Sequence, residues 1–118
     1  MGVRGFFFFL FYAMIVENAF ASVSSIVRQG NQLYREGHYE QAVEKYEDAL
    51  RQKPESDIIN FNLGTAYYQK EDYQKAVQHL QKVLLSENQD LRINGGYNLG
   101  NAFYKLGISL EETQLDQA

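Results

Sequence analysis

The 118-residue chain has no cysteine and no tryptophan, and Pro54 is its single proline. Without cysteine, the chain can form no disulfide, no thiolate metal site and no thiol nucleophile. A basic excess is also absent, because 11 Lys and Arg are set against 15 Asp and Glu, which gives a net charge of −4 at pH 7. The sequence therefore predicts no binding to nucleic acid or to an acidic membrane surface.

The first 21 residues differ in composition from the rest of the chain. Arg4 precedes an apolar run over residues 6–16, and small residues close the segment at Ala21. This order predicts a secretory signal peptide that is cleaved after Ala21, so that residues 22–118 reach the periplasm of a bacterium. The run of 11 residues is about half of the ~20 that a membrane-spanning helix needs. An uncleaved anchor over residues 6–16 is the alternative, and it would be the chain's only contact with a membrane.

Residues 30–54 have the pattern of two short amphipathic helices joined by a turn at Gly37. In the second helix, apolar residues recur every three or four positions: Tyr39, Ala42, Val43, Tyr46, Ala49 and Leu50. Each helix would have one apolar stripe, and helices this short are not stable alone. The pair therefore needs a neighbour to cover its apolar faces.

The chain supplies neighbours by repetition. The motif that starts at Gly30 realigns 34 residues later at Gly64, and again after 36 residues at Gly100. Such a period, with two helices per unit, predicts an all-α helical solenoid with repeats at about 23–56, 57–90 and 93–118, the last incomplete. The predicted helices are 23–36, 39–52, 57–70, 73–85 and 91–106, with Ser56 and Asp72 as N-caps of the third and fourth.

The C-terminal residues allow two interpretations. The tetrapeptide from Leu115 to Ala118 aligns with the start of the second helix in both earlier repeats. On this alignment the third repeat stops inside its second helix, and the sequence is part of a longer repeat protein. The alternative is a short capping helix over residues 108–117, with Leu110 and Leu115 directed inward. An incomplete third repeat would also offer a surface for self-association.

The repeat pattern resembles the tetratricopeptide repeat family. Repeat one matches that pattern at Gly30, Tyr39, Ala42, Tyr46, Ala49 and Pro54; repeat two matches it at Leu63, Gly64, Tyr67, Tyr73 and Ala76. The third copy, GYNLGNAFYKLG, is similar to the family's first helix. The resemblance implies a right-handed solenoid of antiparallel helix pairs, about two and a half repeats long. A signal peptide followed at once by such repeats is also similar to the exported repeat proteins of bacterial Bat (aerotolerance-type) operons.

In that family, the first helix of each pair lines a concave groove, and the resemblance therefore implies a peptide-binding surface. The aligned residues are Val27, Asn31, Tyr34, Phe61, Asn62, Thr65, Tyr68, Tyr97, Asn98, Asn101 and Tyr104. Asparagine amides can both donate to and accept from an extended peptide backbone, and tyrosine offers flat apolar area. The predicted function is binding of a peptide or helix of a partner protein. The alternative is a structural or assembly subunit that packs through its terminal repeat helix.

No arrangement of residues predicts catalysis. The spacing from Gly95 to Gly100 superficially matches a phosphate loop, but the required Lys-Ser/Thr pair is absent. His38 falls at a predicted turn, and His79 is predicted to lie on a solvated helix surface. Neither has a neighbouring set of carboxylates that would form a metal or acid–base site. The chain is therefore predicted to be a non-enzymatic module with no cofactor and no metal.

Overall fold

The computed structural model describes residues 23–117, which form five α-helices and no strand. The helices are α1 (23–35), α2 (Tyr39–Gln52), α3 (Asp57–Gln69), α4 (Tyr73–Val83) and α5 (Gln89–Gln117). The all-α prediction is confirmed, and the first four helices end within two residues of the predicted positions. The predicted signal peptide (1–21) and the alternative anchor (6–16) lie outside the described residues. Within residues 23–117, no helix has both the length and the apolarity needed to cross a bilayer.

The helix starts and turns follow local sequence signals. The Ser56 side chain accepts a hydrogen bond from the backbone N–H of Ile59, and Asp72 caps α4 in the same way, as predicted. The turn between α1 and α2 places Gly37 at φ +81°, a conformation that glycine adopts without steric cost. The equivalent turn after α3 places Glu71 at φ +67°. The two repeats therefore share one turn geometry, although only the first has glycine there.

The core lies where consecutive helices cross, and small residues set the distance between the helices. Ala42, Ala66 and Ala76 are fully buried beside larger apolar side chains. α3 packs between α2 and α4, and α4 packs between α3 and α5. A Cβ atom built on Gly30 would lie 2.6 Å from Tyr46 Cε1. The close approach of α1 to α2 therefore depends on the absence of a side chain at this position.

The start of α5 differs from the prediction. The helix begins at Gln89 rather than near Leu91, and Asn88 Oδ1 accepts the Leu91 N–H at 3.2 Å. Gly95 is buried inside the helix, in agreement with the predicted range of 91–106. A Cβ atom built there would lie 2.7 Å from Val83 Cγ1. Gly95 therefore serves the packing of α5 on α4 rather than a turn.

The structure contradicts the capping helix over residues 108–117, while the interpretation that the sequence is part of a longer repeat protein stays a prediction. α5 continues without a turn to Gln117, 11 residues beyond the predicted end at residue 106. Leu110 and Leu115 are 57% and 75% exposed, so residues 108–117 are not a capping helix with these leucines inward. This segment is rich in Leu, Glu and Gln, which favour helix, and it contains no proline. Local helix propensity therefore carries α5 past Gly107, where the repeat pattern indicated a turn.

Candidate functional site: a groove lined by α1, α3 and α5

Two adjoining depressions lie along the face formed by α1, α3 and α5. The first has a volume of about 190 Å³ and is lined by Asn31, Tyr34, Arg35, Tyr46, Phe61, Asn62 and Thr65. The second has a volume of about 210 Å³ and is lined by Thr65, Tyr68, Gln69, Asn98 and Asn101. Thr65 belongs to both depressions, which therefore form one continuous surface. We call these lining residues the groove.

Most residues predicted for the binding surface lie in the groove. They are Asn31, Tyr34, Phe61, Asn62, Thr65, Tyr68, Asn98 and Asn101. Val27 instead packs against the buried core of the first two repeats. Tyr97 and Tyr104 line neither depression and are 72% and 68% exposed. Ligand binding by any of these residues stays a prediction.

The same side-chain contact links each pair of neighbouring first helices. Asn62 Nδ2 donates to Asn31 Oδ1 at 3.5 Å, which joins α3 to α1. Asn98 Nδ2 donates to Thr65 Oγ1 at 3.3 Å, which joins α5 to α3. Thr65 stands 34 residues after Asn31, at the same repeat position. Each donating asparagine has a second N–H and a carbonyl oxygen that make no other hydrogen bond among the described residues.

Tyr46 is a groove residue that the sequence reading assigned only to the core. Its ring is 2% exposed, and its hydroxyl donates to Asn31 Oδ1 at 2.6 Å. Burial raises the pKa of Tyr46 to about 12, so the hydroxyl keeps its proton. Asn31 Oδ1 accepts hydrogen bonds from both the Tyr46 hydroxyl and Asn62 Nδ2, so Asn31 has only its Nδ2 hydrogens left for a ligand. The available signal in the sequence was Gly30. Because glycine has no side chain, the Tyr46 ring can cross α1 at this position and reach the groove.

Arg35 and Gln69 were also missed. Each occupies the residue after a groove tyrosine, Tyr34 and Tyr68 respectively, at the end of a first helix. The repeat register would have identified both, since each stands five residues after the small residue of its helix. Arg35 is exposed and is the one charged residue among the described lining residues. The groove is therefore polar and aromatic, with a positive charge at one end.

Two equivalent tyrosine pairs support the groove from the side of the second helices. Tyr34 and Tyr39 pack edge to face, with ring centroids 5.3 Å apart. Tyr68 and Tyr73 repeat this arrangement at 5.5 Å, with the same interplanar angle of 64°. Such contacts hold aromatic rings in a defined orientation. The tyrosines of the groove are thus positioned before any ligand arrives.

A second polar cluster lies away from the groove, and it corrects the prediction for His79. His79 is half-buried rather than solvated, with Nδ1 3.0 Å from Asn60 Oδ1 and its ring stacked 5.6 Å from that of Tyr67. Asn60, which is buried, also donates to the Ser56 carbonyl oxygen. Burial, reinforced by the nearby charge of Lys82, lowers the pKa of His79. The cluster joins α3 to α4, so its contribution is structural.

We expect the stability of the fold to decrease, through His79, as the pH falls below about 7. In the folded chain His79 has a pKa below its usual value of 6.5, so the unfolded chain binds more protons as the pH falls. The free energy of unfolding should therefore decrease on acidification. Urea denaturation at several pH values measures the slope, and His79→Gln should reduce it. His38→Gln is the matched control at an exposed histidine, and an equal reduction there would contradict the assignment.

Within residues 23–117, no group of three or more His, Asp or Glu side chains is arranged to hold a metal ion. The groove likewise holds no pairing of a nucleophile with a base; its lining consists of amides, tyrosines, a threonine, a phenylalanine and an arginine. Such groups bind through hydrogen bonds and apolar contact. The groove therefore offers hydrogen-bonding and apolar groups along one face of the solenoid.

Part of the chain is similar in sequence to known proteins. The chain is 36% identical to mouse intraflagellar transport protein 70A1 over 59 residues, which is 50% of the chain and 9% of that protein. It is 32% identical to intraflagellar transport protein 70A of Xenopus laevis over 60 residues, 51% of the chain and 9% of the relative. The chain thus spans about a tenth of the length of these relatives. These matches leave the resemblance to Bat-operon proteins untested, and it stays a prediction.

The sequence pattern that defines the tetratricopeptide repeat matches residues 27–90, which is more than half of the 118-residue chain. This range begins inside α1 and contains all of α2, α3 and α4. Repeats of this kind form protein–protein interaction modules, and the groove described above is built by their first helices. The chain belongs to the tetratricopeptide repeat family.

Proposed function

We propose that the groove binds an extended segment of a partner protein. The observation that carries this proposal is the repeated contact of Asn62 with Asn31 and of Asn98 with Thr65. It holds two asparagine side chains at equivalent positions along the groove, each with a free donor and a free acceptor. An extended peptide presents donors and acceptors at a regular spacing along its backbone. Two equivalent amides are therefore suited to grip one such backbone at two points.

The lining also favours a particular kind of peptide. Tyr34, Phe61 and Tyr68 provide apolar area, and the depressions on either side of Thr65 can each receive a side chain. Alternate side chains of an extended peptide point the same way, so one peptide can fill both depressions. Arg35 adds a positive charge at the α1 end, which favours an acidic residue there. The proposed ligand is an apolar extended peptide with a carboxylate near one end.

The test begins with a displayed library of random peptides selected on the wild-type chain. We expect Asn62→Ala combined with Asn98→Ala to weaken the binding of the best selected peptide at least about tenfold. The reason is that two amide hydrogen bonds together contribute roughly 1.4 kcal/mol to the binding free energy. Fluorescence polarisation of the labelled peptide measures the affinity. Gln78→Ala combined with Gln81→Ala removes two exposed amides from α4 and should change nothing.

Two results would count against the groove. If no peptide from the library bound the wild-type chain, the proposed peptide binding would be contradicted. Unchanged affinity in the asparagine double variant would place binding elsewhere. If shortening the chain after Gly107 then abolished binding, the exposed part of α5 would be the binding surface, as the structural-subunit alternative predicts.

We also propose that residues 1–21 direct export and that the mature protein begins at Ser22. The support is the order of Arg4, an apolar run and small residues at Ala21. Expression in a bacterium, followed by N-terminal sequencing of the periplasmic fraction, should yield a chain that starts with Ser-Val-Ser-Ser. A chain that retains Met1 in the membrane fraction would support the anchor instead.

A further inference from the structure

The exposed side of α5 carries large apolar residues that nothing among residues 23–117 covers. They are Ile93, Tyr97, Phe103, Tyr104 and Leu110, and each is about half exposed or more. A surface helix of a single domain normally turns its apolar stripe towards the core. α5 does this with Leu99 and Ala102, and it has a second apolar side in addition. Exposed apolar faces of this kind mark interaction sites.

The repeat shows that this side of α5 is a helix-binding face. Gly30, Gly64 and Gly100 hold the same repeat position. A Cβ atom on Gly30 would lie 2.6 Å from Tyr46 Cε1, and one on Gly64 would lie 2.7 Å from Leu80 Cγ. A Cβ atom on Gly100 meets nothing within 4 Å. The site that a second helix fills in the first two repeats is therefore open in the third.

The tyrosine pairs give the same result independently. Tyr34 packs on Tyr39, and Tyr68 packs on Tyr73, in both cases across the turn between the two helices of a repeat. Tyr104 is the equivalent residue of α5, and its side chain is 68% exposed. Two separate features of the repeat, a small residue and an aromatic ring, are thus both uncovered on α5.

Residues 108–117 are unsuited to cover this face. In the register set by Gly30 and Gly100, Ser109, Glu112 and Asp116 would take the places held by Tyr39, Ala42 and Tyr46. Burial of these polar side chains without partners would cost free energy. The structure instead extends the segment as the last turns of α5. Residues 108–117 therefore leave this face of α5 uncovered.

We propose that the occupant is a second copy of this chain, with the two α5 helices antiparallel about a two-fold axis. Tyr97, Gly100, Tyr104 and Gly107 lie on one side of α5, within about 80° of each other at 100° per residue. The face therefore carries two projecting rings and two positions without side chains. A two-fold interface requires both complementary parts on the same surface. This face meets that requirement.

The spacing of these four residues fits one axis. The pairs Gly100–Tyr104 and Tyr97–Gly107 have a common midpoint at Ala102. An antiparallel pairing centred on Ala102 places each Tyr104 over Gly100 of the second copy, and each Tyr97 over Gly107. A tyrosine ring over a helix glycine is already used within the chain, where Tyr46 covers Gly30. The proposed interface thus repeats a contact that this protein makes inside its own fold.

The test measures the mass of the full chain by sedimentation equilibrium over a range of concentrations. A single helix pair is a small interface, below about 1,200 Å², so we expect a dimer that dissociates on dilution. Gly100→Leu should weaken the association at least about tenfold, because the leucine fills the space that Tyr104 of the second copy occupies. The monomer should still fold, since nothing lies within 4 Å of that Cβ position.

Ser109→Leu is the matched control, because it adds the same side chain about 180° away on the same exposed helix. It should leave the association unchanged. A wild-type chain that stays monomeric, or equal loss in both variants, would overturn the proposal. A synthetic peptide of residues 72–85, which contains α4, provides a further test. If this peptide bound the monomer at Gly100 and the wild-type chain did not dimerise, the face would bind the second helix of a repeat rather than a second α5, and the proposal would be overturned. Asn62→Ala with Asn98→Ala should not affect the dimer, so this proposal and the groove fail separately.

Discussion

Replacement of Gly64 with alanine is expected to lower the free energy of unfolding by about 2 kcal/mol. The added Cβ atom would lie 2.7 Å from Leu80 Cγ and 3.3 Å from the Ala76 carbonyl oxygen. Leu80 is fully buried and cannot move aside freely, and the backbone of α4 cannot give way without disturbing its packing on α5. The overpacking should therefore outweigh the gain in helix propensity. Urea denaturation followed by circular dichroism measures the change.

The same substitution at Gly100 is the matched control, and we expect it to have the opposite sign. Gly100 lies inside α5 with open space around its Cβ position. Alanine in a helix interior is favoured over glycine by roughly 0.5–1 kcal/mol, so Gly100→Ala should stabilise the monomer by that amount. The comparison is made at concentrations where the chain is monomeric. Destabilisation of similar size at both positions would contradict the open face on α5.

A double variant isolates the clash. Leu80→Ala alone should leave a cavity beside Gly64 and cost several kcal/mol. The same change in the Gly64→Ala background should cost less, because the alanine methyl occupies part of the vacated space. This difference is the coupling energy between the two positions. A coupling energy of zero would mean that the absence of a side chain at Gly64 does not serve to make room for Leu80.

The sequence predicted those features that depend on one helix and its neighbour in the chain. The three- and four-residue spacing located the first four helices, and Ser56 and Asp72 marked two of their starts correctly. The 34-residue period placed Asn31 and Thr65 on one surface, because equivalent positions in a solenoid lie in a row. These predictions needed only periodicity and local capping chemistry.

The features that the sequence missed depend on which helix covers which face. His79 looked solvated because its partner, Asn60, belongs to a different helix and gives no signal near His79 in the sequence. The end of α5 was misplaced because Gly107 has no second helix folded back beside it. In each case a tertiary contact, or its absence, decided the outcome.

Replacement of Leu63 with alanine should lower the free energy of unfolding by about 3 kcal/mol. Leu63 is 0% exposed and packs in the cluster that joins all four of the helices α2, α3, α4 and α5. Its truncation removes apolar contact and leaves a cavity between rigid helices. A small domain with total stability near 5–15 kcal/mol would lose a large share of it. Thermal and urea denaturation should both show the loss.

Leu110→Ala is the same change in chemistry at an exposed site, and it separates the structure from the capping-helix interpretation. If residues 108–117 folded back with Leu110 inward, this substitution would also cost 2 kcal/mol or more, roughly the lower bound for a buried leucine. In the structure Leu110 is 57% exposed on α5, so the monomer should lose less than about 0.5 kcal/mol. The loss measured for Leu63→Ala is the reference for a fully buried leucine in the same protein. A ratio of the two losses near one would mean that α5 does not extend to Gln117 in solution.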